Sequence, residues 1–430
     1  MARKSGAEGV EEERAAREGE PTEAIGGYNV AMPERVRHVG LNLVYLVPGE
    51  TGGMETYARV LIAALREIAP ELRLTAFVNE VAAAGPAAPW NELCEPVTVP
   101  VDARDRVAWV RGEQQHLPRL AARAGVPLVH SLANTGPLHG PFARVTTVHD
   151  VIWRTAPETL FGARALGMRV LVAAAVRRSD RVIAISESTR RDVRRFLGVP
   201  EDRLDVVLQS VPPAGRHAPM PEPELRARLD LPPGRPILFT ASAKLRHKNL
   251  AGLLDALALI PPARRPVLVA PGYATPYEPE LRARAQALGV AADVRWPGWI
   301  EGPLLEGLYA ACGCFVFPSL YEGFGMPVLE AMERGAPVAC SATGAVGEVA
   351  AHAASLFDPR DPEAIAATVT AVLEDPALAA DLRRRGRRRA QAFSPAATAR
   401  GTLAAYARAL CRRGDSSEVA NVEGCTGSGR

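Results

Sequence analysis

Two carboxylates, a glycine-rich turn and the start of a helix stand together in residues 318–341, PSLYEGFGMPVLEAMERGAPVACS. An apolar run of strand length, ACGCFVF, ends at Pro318, and Gly323 and Gly325 flank Phe324 in the turn that follows. Pro327 takes a first-turn helical position, and VLEAMERG continues as a helix closed by Gly335. A strand that ends in a glycine turn and a helix N-terminus suits an anion. Glu322 on the turn and Glu330 in the first helical turn can accept hydrogen bonds from sugar hydroxyls. The ligand these pieces suit carries both phosphate and diols, as a nucleotide-sugar does.

A second feature is cationic. Of 51 basic residues only Lys4, Lys244 and Lys248 are lysines. The chain is rich in Ala, Gly and Pro, so coding bias explains the arginines, and against it two lysines within five residues of each other stand out. The net charge of +3 gives no reason to expect a nucleic-acid partner. Cys94, Cys312, Cys314, Cys340, Cys411 and Cys425 are scattered, without zinc spacing. A disulfide framework does not suit a chain of this size, so a reducing, cytoplasmic setting is expected. No apolar run reaches the roughly 18 residues of a membrane span, and the N-terminus is charged rather than signal-like. Peripheral membrane contact is left open.

These residues need a scaffold, and 430 residues with 47% apolar content suffice for two domains. Residues 1–34 are charged and aperiodic, expected to be disordered or an over-extended start before Met32. From Arg35 the pattern alternates. VRHVGLNLVYL reads as a strand, PGETGGMET as a turn and YARVLIAALREI as a helix. LRLTAFV, VPLVHS, ARVTTVHD and SDRVIAIS read as strands, and ESTRRDVRRFLG as a basic helix. Proline-dense 212–236 reads as a linker between a first domain, 35–211, and a second, 237–395. The second half repeats the alternation through PILFTAS, NLAGLLDALALI, PVLVAPG, ELRARAQALG, VRWPG, LLEGLYAA, CFVFPS, VLEAMERG and APVACS. This is an α/β pattern: two parallel sheets with helices on both faces and a cleft between the strands' carboxyl ends. A terminal helix, 396–412, is expected to pack back on the first domain, with a disordered tail over 413–430. The triplets Arg383 to Arg385 and Arg387 to Arg389 read as a solvated helical face.

Glu322-x7-Glu330 in this setting resembles the signature of the family 4 glycosyltransferases, which have the GT-B fold of two facing Rossmann-like domains. GETGGMETYARVL, VTTVHD, SDRVIAISESTRRDV, HKNLAGLLDAL and LFDPRDPEAIAATV are similar to further blocks of that family, in its order and spacing, over roughly residues 36–395.

The resemblance implies roles, each beside a plainer alternative. It places Glu330 on the ribose diol; otherwise Glu330 is a helix-dipole carboxylate. It places Glu322 against the donor sugar near the reacting carbon; otherwise Glu322 caps the turn. Gly323, Phe324, Gly325 and Met326, with Val328 behind them, would line the donor site, although Phe324 alone reads equally as packing. Lys248 opens a helix, where a cation is disfavoured, and an anion in contact would offset that cost; the resemblance puts it on the diphosphate. Many members carry an arginine six residues earlier, where this chain has Ser242. Lys244, or else Arg246, is expected to replace it. Gly52 and Gly53 would approach the phosphate and sugar from the first domain, and Gly272 would face the same place. His149 would stand beside the donor sugar near the acceptor, with Asp150 orienting backbone; the alternative is a buried structural histidine. Trp299 would lie near the base pocket or pack in the core. Gln209-Ser210 stands where the family has Asn-Gly, without explanation from sequence.

The activity the resemblance implies is retaining transfer of a hexosyl unit, mannosyl among the candidates, from a nucleoside-diphosphate sugar to a glycan, lipid-linked or small-molecule acceptor, with no cofactor and no metal expected. An epimerase or phosphorylase on the same fold, or a non-catalytic nucleotide-sugar-binding subunit, are the alternatives. A nicotinamide oxidoreductase fails because no GxGxxG follows the first strand. The donor base, the acceptor and the loops over 82–118 match no readable pattern.

Overall fold

The computed structural model of the protein describes residues 36–85, 88–155 and 163–413. The expectations for 1–34 and 414–430, with Lys4 and Cys425, lie outside them. Among the described residues the strands form two all-parallel sheets. The first contains β1 (His38–Leu43), β2 (Arg73–Asn79), β3 (Glu95–Val99), β4 (Leu128–Ser131), β5 (Ala143–Val148), β6 (Arg181–Ala184) and β7 (Leu204–Val206), in the order β3-β2-β1-β4-β5-β6-β7. The second contains β8 (Ile237–Phe239), β9 (Val267–Val269), β10 (Val294–Arg295), β11 (Cys314–Phe317), β12 (Val338–Ser341) and β13 (Ser355–Phe357), in the order β10-β9-β8-β11-β12-β13. Inner strands such as RVIA, CFVF and VACS are buried along their whole length, as parallel strands covered on both faces must be.

Strand order reverses between β1 and β4 in the first sheet and between β8 and β11 in the second. At such a switch point the two following loops part and leave a crevice at the strand ends. The crevice of the second sheet is flanked by the loop carrying Lys244 and Lys248 and by the turn carrying Glu322.

The helices are α1 (Gly53–Ile68), α2 (Arg106–Arg111), α3 (Leu117–Arg123), α4 (Ala163–Arg178), α5 (Glu187–Asp192), α6 (Glu222–Arg228), α7 (Leu250–Leu259), α8 (Glu278–Ala287), α9 (Gly302–Ala311), α10 (Met326–Glu333), α11 (Gly344–Ala350), α12 (Pro362–Glu374), α13 (Pro376–Ala390) and α14 (Pro395–Arg413). Shorter turns are left unlabelled. α1 buries Tyr57, Ala58, Leu61, Ile62 and Leu65, one face at helical spacing, against the first sheet.

The structure departs from the sequence reading in four places. The 82–118 segment holds β3 and α2, and a π-turn (Gly112–His116) joins α2 to α3. Strand β7 and helices α4 and α11 were not expected. The proline-dense 212–236 is not all linker: α6 lies within it, and Leu225, Leu229 and Leu231 are buried in the second domain's core beside Leu304 and Leu308 of α9. Prolines on both sides, with Pro223 in its own first turn, masked the short EPELRAR helix. Finally, the arginine triplets are only partly solvated. Arg383 donates to the Gly335 and Cys312 carbonyls at 3.0 and 3.3 Å, and Arg389 to Val349 and Glu348, both at 3.0 Å. These groups satisfy carbonyls at helix ends.

Helix α14 lies on the first domain: Ala399, Leu403, Ala405, Tyr406 and Ala409 share a core with α1 and β1. The Tyr406 hydroxyl pairs with His130 Nδ1 at 2.8 Å. Among the described residues no helix is long and apolar enough to cross a membrane.

Candidate active site

The turn after β11 and the loop after β8 meet through an ion pair. Lys248 Nζ stands 2.6 Å from Glu322 Oε1, and the Ser319 hydroxyl donates to the same oxygen at 2.6 Å. The two charged side chains are only 16% and 13% exposed, so solvent screens them weakly. Both hydrogen bonds fall on one oxygen, and Oε2 keeps its accepting capacity. Asn249, in the left-handed conformation at the start of α7, donates to the Pro318 and Pro359 carbonyls at 3.2 and 2.6 Å, which fixes the β8 loop to the β11 turn. Asp150 belongs to the same field. Burial raises its pKa, an Ile152 N–H opposes that, Glu322 raises it further and Lys248 lowers it.

The Asp150 coupling crosses from one domain to the other, as do several direct contacts. A Cβ on Gly323 would come within 1.8 Å of the His149 carbonyl oxygen, so only glycine permits this approach. The Gly323 carbonyl accepts from the Ser186 and Thr189 hydroxyls at 2.7 and 2.9 Å. Tyr321 donates its hydroxyl to Asp192 at 2.9 Å. Glu348 of α11 accepts the backbone N–H groups of Glu187 and Ser188 at the start of α5. Tyr273 donates to the Gly49 carbonyl at 2.6 Å, and Gly53 faces the Met326 sulfur. The Gly49–Gly52 loop is held from its own side by Glu55, which accepts the Gly49 N–H at 2.7 Å.

His149 closes β5 with its ring turned inward. Nε2 lies 2.7 Å from the Leu132 carbonyl, and Nδ1 lies 2.9 Å from the Gln209 amide nitrogen. A carbonyl only accepts, so Nε2 bears the proton and Nδ1 accepts. Burial pushes the ring's pKa down to about 4 against a small opposing contribution from the Leu132 carbonyl, so the imidazole is neutral near pH 7. The Asn134 side chain accepts the His149 N–H at 2.7 Å. The ring is thus a structural anchor, and the His149 carbonyl packs against Gly323.

Glu330 sits in a separate cluster on α10. Tyr309 donates to its Oε2 at 3.2 Å, and Arg334, clamped by Glu306 at 2.8 Å, lies beside it. Burial raises the Glu330 pKa, with Arg334 and then Tyr309 acting against the rise. Phe324 and Val328 are core residues; Phe324 meets Phe393 edge-on at 5.8 Å. Gly325 is the helix cap, at φ 111°.

Three expectations are corrected. Lys244 is fully buried and donates to the Gly272 carbonyl at 2.7 Å. It braces the Gly272 turn, whose φ is 137° and where a Cβ would overlap the Ser242 carbonyl oxygen at 2.0 Å. Burial lowers its pKa to about 8, with Glu278 opposing and Arg282 reinforcing that shift. It therefore does not stand in for the missing phosphate arginine. Arg246 points elsewhere, pairing with Glu280 at 2.7 Å and stacking on Tyr277 at 4.3 Å. Trp299 is not core: it is 56% exposed and stacks on Tyr273 at 4.3 Å.

Sequence reasoning missed Ser186, Thr189, Asp192, Tyr321 and Glu348, and singled out Gln209 without a role for it. Ser186 carried a readable signal as the N-cap of α5. Its second role, on Gly323, is 137 residues away and had none. Among the described residues no three His, Cys, Asp or Glu side chains gather as a metal site.

Two facing parallel-sheet domains, with an acid–lysine pair at the switch point of one and a glycine loop on the other, define a GT-B transferase. Residues 51–214 match the family model "Glycosyltransferase Family 4" and residues 221–389 match "Glycosyl transferases group 1". The chain belongs to the family 4 glycosyltransferases and is a hexosyltransferase. It is 30% identical over 268 residues to O-antigen chain mannosyltransferase B of Escherichia coli, covering 61% of this chain and 69% of that one. It is 29% identical over 296 residues to the MMP alpha-(1->4)-mannosyltransferase of Mycolicibacterium hassiacum, covering 68% and 67% respectively. Among solved structures, sucrose-phosphate synthase from Thermosynechococcus elongatus superposes with a TM-score of 0.72 at 22% identity, over 87% of this chain and 99% of that one. Anabaena HepE in complex with UDP and glucose gives 0.65 at 20%, over 86% and 99%.

Proposed function

We propose that the protein transfers a hexosyl unit, mannosyl by preference, from a nucleoside-diphosphate sugar to an acceptor hydroxyl with retention of configuration, in the biosynthesis of a cell-surface glycan or glycolipid. The observation that carries this reading is the Lys248–Glu322 pair at the β8/β11 switch point, on a turn whose Gly323 packs against the His149 carbonyl of the other domain. The mannosyl preference rests on the names of the curated relatives in Escherichia coli and Mycolicibacterium hassiacum.

The chemistry follows from charge. The sugar–phosphate bond lengthens, C1 of the sugar becomes oxocarbenium-like and negative charge grows on the departing diphosphate. Lys248 stabilises that charge, drawn from Glu322 toward the phosphate. Glu322 accepts from sugar hydroxyls and holds C1 in place. The acceptor oxygen bonds to C1 on the face the diphosphate leaves, and its proton passes to a departing phosphate oxygen. A nucleoside diphosphate is a stable leaving group, so no general acid is required, and neutral His149 is consistent with that. Glu330 takes the ribose diol. Closure of the two domains excludes water and limits donor hydrolysis. Neither a cofactor nor a metal is needed in this scheme.

The test is release of nucleoside diphosphate from GDP-mannose, UDP-glucose and related donors with a pooled set of acceptors, in the presence of EDTA. Donor-dependent release with an axial or equatorial product matching the donor supports the proposal. Absence of release from every donor, or complete loss in EDTA restored by magnesium, counts against the activity or the metal-free scheme respectively.

A further inference from the structure

Gln209 has no role in the scheme above, yet it is buried at the point where the chain leaves the first domain. It follows β7 and precedes Val211, Pro212 and Pro213 of the linker. Its backbone is fixed from behind by α14: Thr398 donates its hydroxyl to the Leu208 carbonyl at 2.8 Å and lies 3.3 Å from the Ser210 hydroxyl. Its side chain reaches back to β5 and donates to His149 Nδ1.

That hydrogen bond completes an arrangement with one solution. Leu132 needs a proton on Nε2, and Gln209 needs a lone pair on Nδ1. The reverse tautomer would set N–H against N–H on one side and a lone pair against a carbonyl on the other. Tyr57 of α1 supports the ring plane edge-on, 5.1 Å between centroids. The ring in turn anchors the strand end whose carbonyl packs on Gly323.

We propose that Gln209 is a positioning residue for glycosyl transfer: by holding the His149 ring in the Nε2–H tautomer it sets the backbone wall that the donor-sugar turn closes upon. Because the linker starts three residues later, the same side chain ties that wall to the hinge of the two domains. The role in turnover rests on the glycosyltransferase reading above; the hydrogen bond itself does not.

The experiment uses full-length protein with 15N-labelled histidine. Spectra of the wild type, His149→Asn (for assignment), Gln209→Met and Gln209→Glu are combined with kcat and KM for the donor. Met keeps the length of the side chain and removes the donor. Glu replaces it by an acceptor, so both ring nitrogens must then carry protons. The titratable neighbours of the ring are Tyr57, His130 on β4 and Asp150 next in the chain; all are unchanged in these variants. In the wild type, a neutral Nε2–H ring with a hydrogen-bonded Nδ1, constant from pH 6 to 8, is expected. Gln209→Met should lose the Nδ1 hydrogen-bond signature and drop kcat on the order of ten-fold with KM nearly unchanged. Gln209→Glu should show imidazolium at neutral pH and a lowered kcat that acidification does not restore. A wild-type ring protonated on Nδ1, or Gln209→Met with unaltered spectrum or unaltered kcat, overturns the proposal. The ring signals are read on resting protein, so they test the hydrogen bond even where the donor assignment fails.

Discussion

The Glu348 carboxylate takes the backbone N–H of Ser188 across the cleft at 2.9 Å, and its second oxygen takes the N–H of Glu187 at 2.8 Å. Two N–H groups that α5 cannot satisfy internally are thereby met by a charge from the other domain, at the helix end where a negative charge is favoured. Charge-assisted hydrogen bonds of this kind contribute about 1.5–3 kcal/mol, enough to bias an open–closed equilibrium by one or two orders of magnitude. Glu348→Ala is expected to increase the radius of gyration in small-angle scattering and to lower kcat/KM about ten-fold or more, while nucleoside diphosphate affinity changes little. An unaltered scattering profile with unaltered kcat/KM would show that Glu348 does not hold the domains together.

Lys248 offers a second test. Its cation is paired with Glu322, so diphosphate binding must redirect it rather than recruit a free charge. The gain is therefore that of one charge-assisted contact. Lys248→Ala should weaken nucleoside diphosphate binding by about 1.5–3 kcal/mol, or roughly ten- to a hundred-fold. Isothermal calorimetry with GDP and UDP measures it directly, and an unchanged Kd would remove Lys248 from the phosphate site.

How far the sequence foretold this site depends on the range of each contact. The run from Cys314 to Glu333 was legible because strand, glycine turn and helix are all specified by near neighbours: apolar continuity, Gly325 and Pro327 suffice. The two sheets followed from the repeated alternation. What the residues could not reveal is where long-range partners lie. Lys244 and Lys248 are equally basic in sequence, yet one donates to the Gly272 carbonyl and the other to Glu322, partners 28 and 74 residues away that local sequence cannot specify. Gln209 looked like an unexplained departure until β5 placed His149 beside it. Helix α6 was hidden by flanking prolines, although its leucines fill the second core.

Glu322 and Glu330, both single-turn neighbours of the glycine segment, should separate kinetically. Glu322 pairs with Lys248 and stands beside Gly323, where the sugar would lie; Glu330 is enclosed by Tyr309 and Arg334 further along α10. Glu322→Gln removes a charge close to C1 and should reduce kcat on the order of a hundred-fold with a smaller rise in KM. Glu330→Gln should raise the donor KM with kcat within a few-fold of the wild type, since ribose contacts act equally on ground and transition states. Initial-rate kinetics over a range of donor concentrations distinguish the two; the opposite pattern would exchange their roles.

Lys244 supplies a prediction of a different kind, on stability and pH. Its ammonium is buried with the Gly272 carbonyl as acceptor, and burial lowers its pKa from 10.5 to about 8. Below pH 8 the group is charged in both folded and unfolded chains, so the cost of burying that charge is constant. Between about 8 and 10.5 the folded chain releases the proton while the unfolded chain retains it. The unfolded state then binds more protons, and folding stability rises with pH. The full window corresponds to about 3 kcal/mol. Lys244→Met keeps the buried stem and removes the titration. The difference in unfolding free energy between wild type and Lys244→Met, from urea titrations at pH 7, 8.5 and 10, should move in favour of the wild type by up to that amount as pH rises. Nucleoside diphosphate affinity at pH 7 should stay within about three-fold, less than one lost charge-assisted contact would cause. A pH-independent difference would mean that the amine does not titrate in this window, and a large loss of nucleotide affinity would return Lys244 to the phosphate site.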